Sequence, residues 1–110
     1  MSQNTSTAGS IIYNVTSKVA AVIDRAWVQW MLEEHIPGML QTGCFTGHKL
    51  VRLLEVDDSE GPTYAVQYFA KDLVEYDRYL REHSEALRQE SLNKWGHQVI
   101  AFRSVMEVVA

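Results

Sequence analysis

Four histidines and a single cysteine are the side chains here best suited to proton transfer near neutral pH, metal binding or nucleophilic attack. His35 sits in EEHIPG, one turn beyond Met31 and two beyond Trp27, so it continues the apolar row of an amphipathic helix. Two roles fit it. As the last residues of a helix ended by Pro37 and Gly38, it would place a cation beside exposed carbonyls and the negative dipole end. As a catalytic group, its ordinary pKa of about 6.5 suits it to proton transfer. His83 interrupts the stripe Leu73, Tyr76, Leu80, His83, Leu87 of a second helix, which makes it either a satisfied core histidine or a second catalytic candidate.

In the expected topology the two helices run antiparallel, and the eleven helical residues between their levels put His35 and His83 about 17 Å apart. One metal cannot bind both within a subunit. His48 falls in a strand and His97 begins another, and no HExxH or CxxC is present, so no metal site is expected. Cys44 shares a strand face with His48, but the intervening residues separate them by about 13 Å, too far for a thiolate–imidazole pair. Cys44 reads as a small buried apolar residue.

A second constellation comes from strand parity. One choice of face gathers Asn14 and Thr16, Gln67, Arg103 and Glu107, and His48 and Arg52 among otherwise apolar strands. Asn14, Gln67, Arg103 and Glu107 are the candidate ligand-binding set, because an amide, a guanidinium and a carboxylate on an apolar wall can orient a small molecule. The competing account of Arg103 and Glu107 is an internal ion pair at a dimer interface.

The elements that must position these groups follow from periodicity. Ile11 to Lys18 is rich in strand formers, Ala20 to His35 has helical spacing, and CFTGHKLVRLLEV and TYAVQYFA flank the turn-rich DDSEGP as a hairpin. Asp72 with Glu75 reads as a capping box opening the second helix. An unbroken helix from Asp72 to Trp95 would be about 36 Å long against about 26 Å for an eight-residue strand, so a bend is expected near His83 and Ser84. Ser84 is a candidate cap for the following piece, Gly96 a positive-φ terminus, and HQVIAFRSVMEVV a fourth strand. The order βαββαβ defines an α+β, ferredoxin-like fold, a four-stranded antiparallel sheet with two helices on one face.

Composition narrows the partners. The 110 residues suit one domain, and a net charge of −4 is the wrong sign for a phosphate-binding surface, so no nucleic-acid partner is expected. Arg78, Arg81 and Arg88 alternate with Asp77, Glu82 and Glu85, with Asp77 facing Arg81, as a solvated helix face would. No apolar run is long enough to span a bilayer, and a lone cysteine without a signal-peptide pattern fits a reducing cytoplasm. Residues 1–10, MSQNTSTAGS, read as a disordered tail or cloning remnant, leaving 11–109 as the folded domain.

Strands three and four are apolar on both alternating faces, as Ile100, Phe102 and Met106 oppose Val99, Ala101 and Val105. One layer of helices covers only one face, so a homodimer joined through the sheets is expected. The alternative is that the tail or the loop near Gly61 folds across the open face.

IIYNVT, HIP, TGCFTG, YAVQY, YLREHSEALR and AFR, in that order, resemble the bacterial domain of unknown function 4286 family over about Ile11 to Val109. That family resembles the dimeric α/β-barrel superfamily, which implies two ferredoxin-like sheets paired into a barrel. The superfamily includes cofactor-independent monooxygenases, isomerases, decarboxylases and haem enzymes, together with members of no known chemistry. Relatives in the ethyl tert-butyl ether degradation family also end their first helix in His-x-Pro, as His35-Ile36-Pro37 does here. No Gly-rich phosphate loop or flavin motif occurs, so no cofactor is assigned. Two functions remain open: a homodimer that binds or transforms a small aromatic or carbonyl compound, and a non-catalytic interaction or regulatory module whose role is dimer assembly.

Overall fold

A computed structural model describes residues 8–110. Strand β1 (Ile11–Val19) occupies the centre of a four-stranded antiparallel sheet in the order β2-β3-β1-β4, with β2 at Gly47–Arg52, β3 at Thr63–Ala70 and β4 at Val99–Glu107. The helices α1 (Asp24–Trp30), α2 (Ile36–Gln41), α3 (Leu73–Glu82) and α4 (Ser84–Trp95) lie on one face, giving the ferredoxin-like arrangement expected from element order. Val, Ile, Tyr and Thr in β1 suit a pleated surface packed on its neighbours, and Ile11, Tyr13, Ser17 and Val19 are all buried against the helical layer.

Register decides what shares a face, because residues directly opposite in antiparallel strands project to the same side. Tyr13 lies opposite Tyr68 and Val105, and Val15 opposite Val66 and Arg103, all towards the helices. Asn14 lies opposite Gln67 and Ser104, and Thr16 opposite Ala65 and Phe102, all towards the other side.

The first helix does not stop at Pro37. After α1 the backbone widens into a π turn, Met31–His35, in which the Ile36 N–H reaches the Met31 carbonyl, and α2 then carries Pro37 in its first turn. Proline lacks an N–H and crowds the preceding turn, and a proline at the start of a new helical segment meets neither problem. His35 is consequently inside a continuous helical path, and the helix-terminus account of it does not hold. The true end comes after Gln41, where Thr42 Oγ1 donates to the Met39 carbonyl at 2.7 Å.

Other boundaries shift for similar local reasons. β2 is shorter than the expected 44–56, and Cys44 and Phe45 lie buried in the loop before it, so Cys44 does not share a strand face with His48. His97 belongs to a 3-10 turn, Gly96–Gln98, ahead of β4. The expected break near His83 is present between α3 and α4, and the Asp72 carboxylate accepts the Glu75 N–H at 3.0 Å as a cap. Ser84, however, caps nothing: its hydroxyl turns back to donate to the Leu80 carbonyl at 2.9 Å. Gly96 has a φ of 57°, the positive value expected of it.

The buried stripe of α3 is Tyr76 and Tyr79, whereas Leu73 and Leu80 are exposed. Tyr76 and Leu87 of the expected row do pack on the core, but Tyr79 takes the place of Leu80. The charged face is also arranged differently: Arg78 pairs with Glu75 at 2.7 Å and Arg81 with Glu82 at 3.7 Å rather than with Asp77.

Residues 1–7 of the expected tail lie outside the described residues, while Gly9 donates to the Val108 carbonyl and Val108 to that of Ser10, tying this approach to β1 to the chain's end. The loop before β3 is bound to the end of β1, with Val19 N–H on the Pro62 carbonyl and Ala21 N–H on that of Glu60. A Cβ at Gly61 would sit 1.9 Å from the Val19 carbonyl oxygen, so only glycine permits this approach. That loop therefore does not cover the open sheet face, where Phe102 is 66% exposed and Ile100 55% exposed.

Candidate functional site

The helical layer does not seal completely onto the sheet. Between α4, the first helical path and the sheet lies a cavity of about 470 Å³, within the range of roughly 300–1,000 Å³ typical of small-molecule sites. Trp27, Met31, Met39 and Val66 give it an apolar side. Tyr13, Tyr68 and Tyr79 rise from the sheet and α3, Arg103 enters from β4, and Arg88 from α4.

Tyr13 is the hub of the polar side. Its ring lies 5.4 Å from that of Tyr79 and 6.1 Å from that of Tyr68, and its hydroxyl accepts from Arg103 Nε at 3.1 Å. Burial raises the Tyr68 and Tyr79 phenols well above the ordinary tyrosine range, and the nearby Tyr13 adds to both shifts. Both remain protonated at neutral pH. Tyr68, 1% exposed, has a hydroxyl with no partner among the described residues.

Arg88 is half-buried, and its buried Nε also lacks a partner. Burial disfavours its charge, but the hydroxyls of Tyr13, Tyr79 and Tyr76 around it more than offset that effect. It stays a cation.

His35 stands on the opposite wall, stacked on Trp30 with ring centroids 4.8 Å apart. Desolvation lowers its pKa, and the Glu90 carboxylate 3.7 Å from Nδ1 counters this only in part, leaving the ring neutral at pH 7. Nδ1 is buried without a hydrogen bond. A neutral imidazole beside a carboxylate can accept a proton and be stabilised once charged.

The structure divides the sequence-derived candidates. His35 and Arg103 line the cavity, while His83 sits at the break between α3 and α4, outside it, with Nε2 3.9 Å from Glu82. Asn14, Gln67, Arg103 and Glu107 are not brought together. Asn14 and Gln67 face the open side, where Asn14 Nδ2 donates to Thr16 Oγ1 at 3.0 Å, whereas Arg103 and Glu107 face the helices. The offset arises from register: β4 pairs Arg103 with Val15, one residue out of step with Asn14. Nor is Arg103 ion-paired with Glu107; its partner is Tyr13.

Tyr13, Tyr68 and Tyr79 had not been singled out, and Arg88, expected on a solvated helix face, is instead half-buried and lines the cavity. The tyrosines carried a usable signal, since Tyr13 and Tyr68 occupy the inward faces of adjacent strands. Arg88 carried none, being one cation among many in a charged helix. Among the described residues, no group of three His, Cys, Asp or Glu side chains is placed to hold a metal ion, and no helix is long and apolar enough to cross a membrane.

Fold and cavity together define a ferredoxin-like α+β protein. By sequence the chain belongs to the domain of unknown function family DUF4286, which matches it over residues 10–109. No curated protein matches it. Its structure is similar to a dimeric ferredoxin-like protein from an uncultured marine organism, with a TM-score of 0.70 and 11% identity over 92% of this chain and 96% of the other. It is also similar to SnoaB, a cofactor-independent oxygenase from Streptomyces nogalater, with a TM-score of 0.67 and 13% identity over 94% and 96% of the two chains. An ethyl tert-butyl ether degradation family protein from Bacillus halodurans superposes with a TM-score of 0.65 and 11% identity, covering 90% of this chain and 99% of that one.

Proposed function

We propose that this protein is a cytoplasmic homodimer, joined through its open sheet faces, that binds a small, largely apolar molecule in the cavity of each protomer. The cavity carries the reading: it holds about 470 Å³ and presents two buried polar atoms, Tyr68 Oη and Arg88 Nε, that no described residue pairs, with His35 Nδ1 served only by Glu90 at 3.7 Å. Unpaired buried polar atoms are costly, and a ligand that supplies their partners recovers that cost. The exposed Phe102, Ile100 and Met106 support the dimer, since a second copy presents the same apolar surface back to them.

The catalytic form of this proposal is a cofactor-independent enzyme in which neutral His35 takes a proton from the bound molecule and Glu90 stabilises the resulting imidazolium. The likeness to SnoaB supports it as analogy of fold. Native mass spectrometry of the purified protein is the test. A dimer that carries added small-molecule mass, or acquires it from a compound library, is the expected result. A monomer overturns the sheet pairing, and a dimer that takes up nothing leaves a non-catalytic assembly module, the role favoured by the exposed apolar residues of β4.

A further inference from the structure

The cavity brings two guanidinium groups to one phenol. Arg103 Nε donates to the Tyr13 hydroxyl at 3.1 Å, and Arg88, from a different element, lines the same space beside Tyr13 and Tyr79 with its Nε buried and without a partner among the described residues. Among the described residues, Arg52, Arg78 and Arg81 each have a carboxylate partner, whereas Arg25, Arg88 and Arg103 have none, and of these three only Arg88 and Arg103 line the cavity. The acidic groups bordering this space do not neutralise them: Glu85 lines the cavity without an ion pair, and Glu90 faces His35.

Two like charges gathered at a neutral hydroxyl repel each other. The arrangement gains most from a shared anion. Guanidinium forks match the planar, two-oxygen geometry of a carboxylate, and Tyr68 adds a neutral O–H donor from the adjacent strand. Across the cavity, Trp27, Met31, Met39 and Val66 offer an apolar surface to the rest of such a molecule.

We infer that the ligand of this cavity is a small hydrophobic carboxylic acid, its carboxylate seated between Arg88 and Arg103 beside Tyr68 and its apolar body against Trp27 and Met31. The inference rests on the proposed small-molecule site and adds the chemical class of what fills it.

Isothermal titration with 1-naphthoate and with the neutral 1-naphthalenemethanol, which share a ring system, tests it. Charge-assisted hydrogen bonds predict that the acid binds at least about tenfold more tightly than the alcohol. Arg88→Met and Arg103→Met keep much of the apolar stem and should each remove most of that preference while leaving binding of the alcohol intact. Circular dichroism melting confirms that the variants are folded; Arg103 is solvent-exposed, so its variant remains informative if Arg88→Met unfolds. Equal affinity for acid and alcohol overturns the acid specificity but leaves the small-molecule site standing. Binding of neither compound overturns both. A preference for the acid that survives in folded Arg variants places the anion elsewhere and also overturns the inference.

Discussion

The two faces of the sheet are built from the same four strands and have opposite problems. Towards the helices, Trp27, Tyr13, Tyr68 and Tyr79 pack an aromatic core, yet polar atoms there lack partners. Towards the other side, the buried Asn14 finds Thr16, but Phe102 and Ile100 are left in solvent. An unpaired buried donor calls for a complementary polar ligand, and an exposed apolar surface calls for another apolar surface. The proposed small molecule answers the first face and the proposed second copy the second.

That contrast can be broken most forcefully at Trp27, which is 2% exposed and stacked on Tyr64. Trp27→Ala should cost about 3–5 kcal/mol of folding stability, read from urea unfolding. A loss below 1 kcal/mol would mean that the helical layer is not held by this packing. Phe102→Lys attacks the other face and should behave in the reverse manner. Subunit stability should change by about 0.5 kcal/mol or less, while the proposed dimer should be lost in sedimentation measurements because a charge is placed on its apolar interface. An unchanged sedimentation coefficient would remove the open face as the site of association.

Smaller effects sharpen the picture. The Tyr64 hydroxyl donates to Asp24 Oδ1 at 2.6 Å, and its pKa is pushed up to about 12, first by burial and then by that carboxylate. Tyr64→Phe should cost about 1 kcal/mol by unclamping the start of α1 from β3. The smallest effect is a pH slope. His35 has a lowered pKa in the folded state, so below about pH 6.5 the unfolded chain binds the extra proton first and stability falls until the folded-state pKa is also passed. His35→Phe should flatten the melting temperature between pH 7 and pH 5 relative to the original protein. An equal slope in both would show that His35 is not the group responsible.

Much of the architecture was legible along the chain because it depends on local rules. Asp72 caps α3 through the Glu75 N–H, the helix breaks at His83, and the two-sided apolarity of β4 exposes Phe102. The first helix was misread because a proline usually terminates a helix, whereas here a π turn absorbs it, and the choice between those outcomes depends on packing of Met31 and Ile36 into the core.

The candidate site was legible only in part. His35 and Arg103 line the cavity, but Asn14 and Gln67 face away from it. By itself the sequence determined the order of elements, the net charge and the presence of a surplus apolar sheet face, since each follows from residue type and short-range spacing. Only the tertiary structure decided the register of β4 on β1, the rotation of α3 that buries Tyr79, and the inward placement of Arg88. A shift of one residue in a strand, or about 100° round a helix, exchanges buried for exposed side chains, and long-range packing selects between those alternatives.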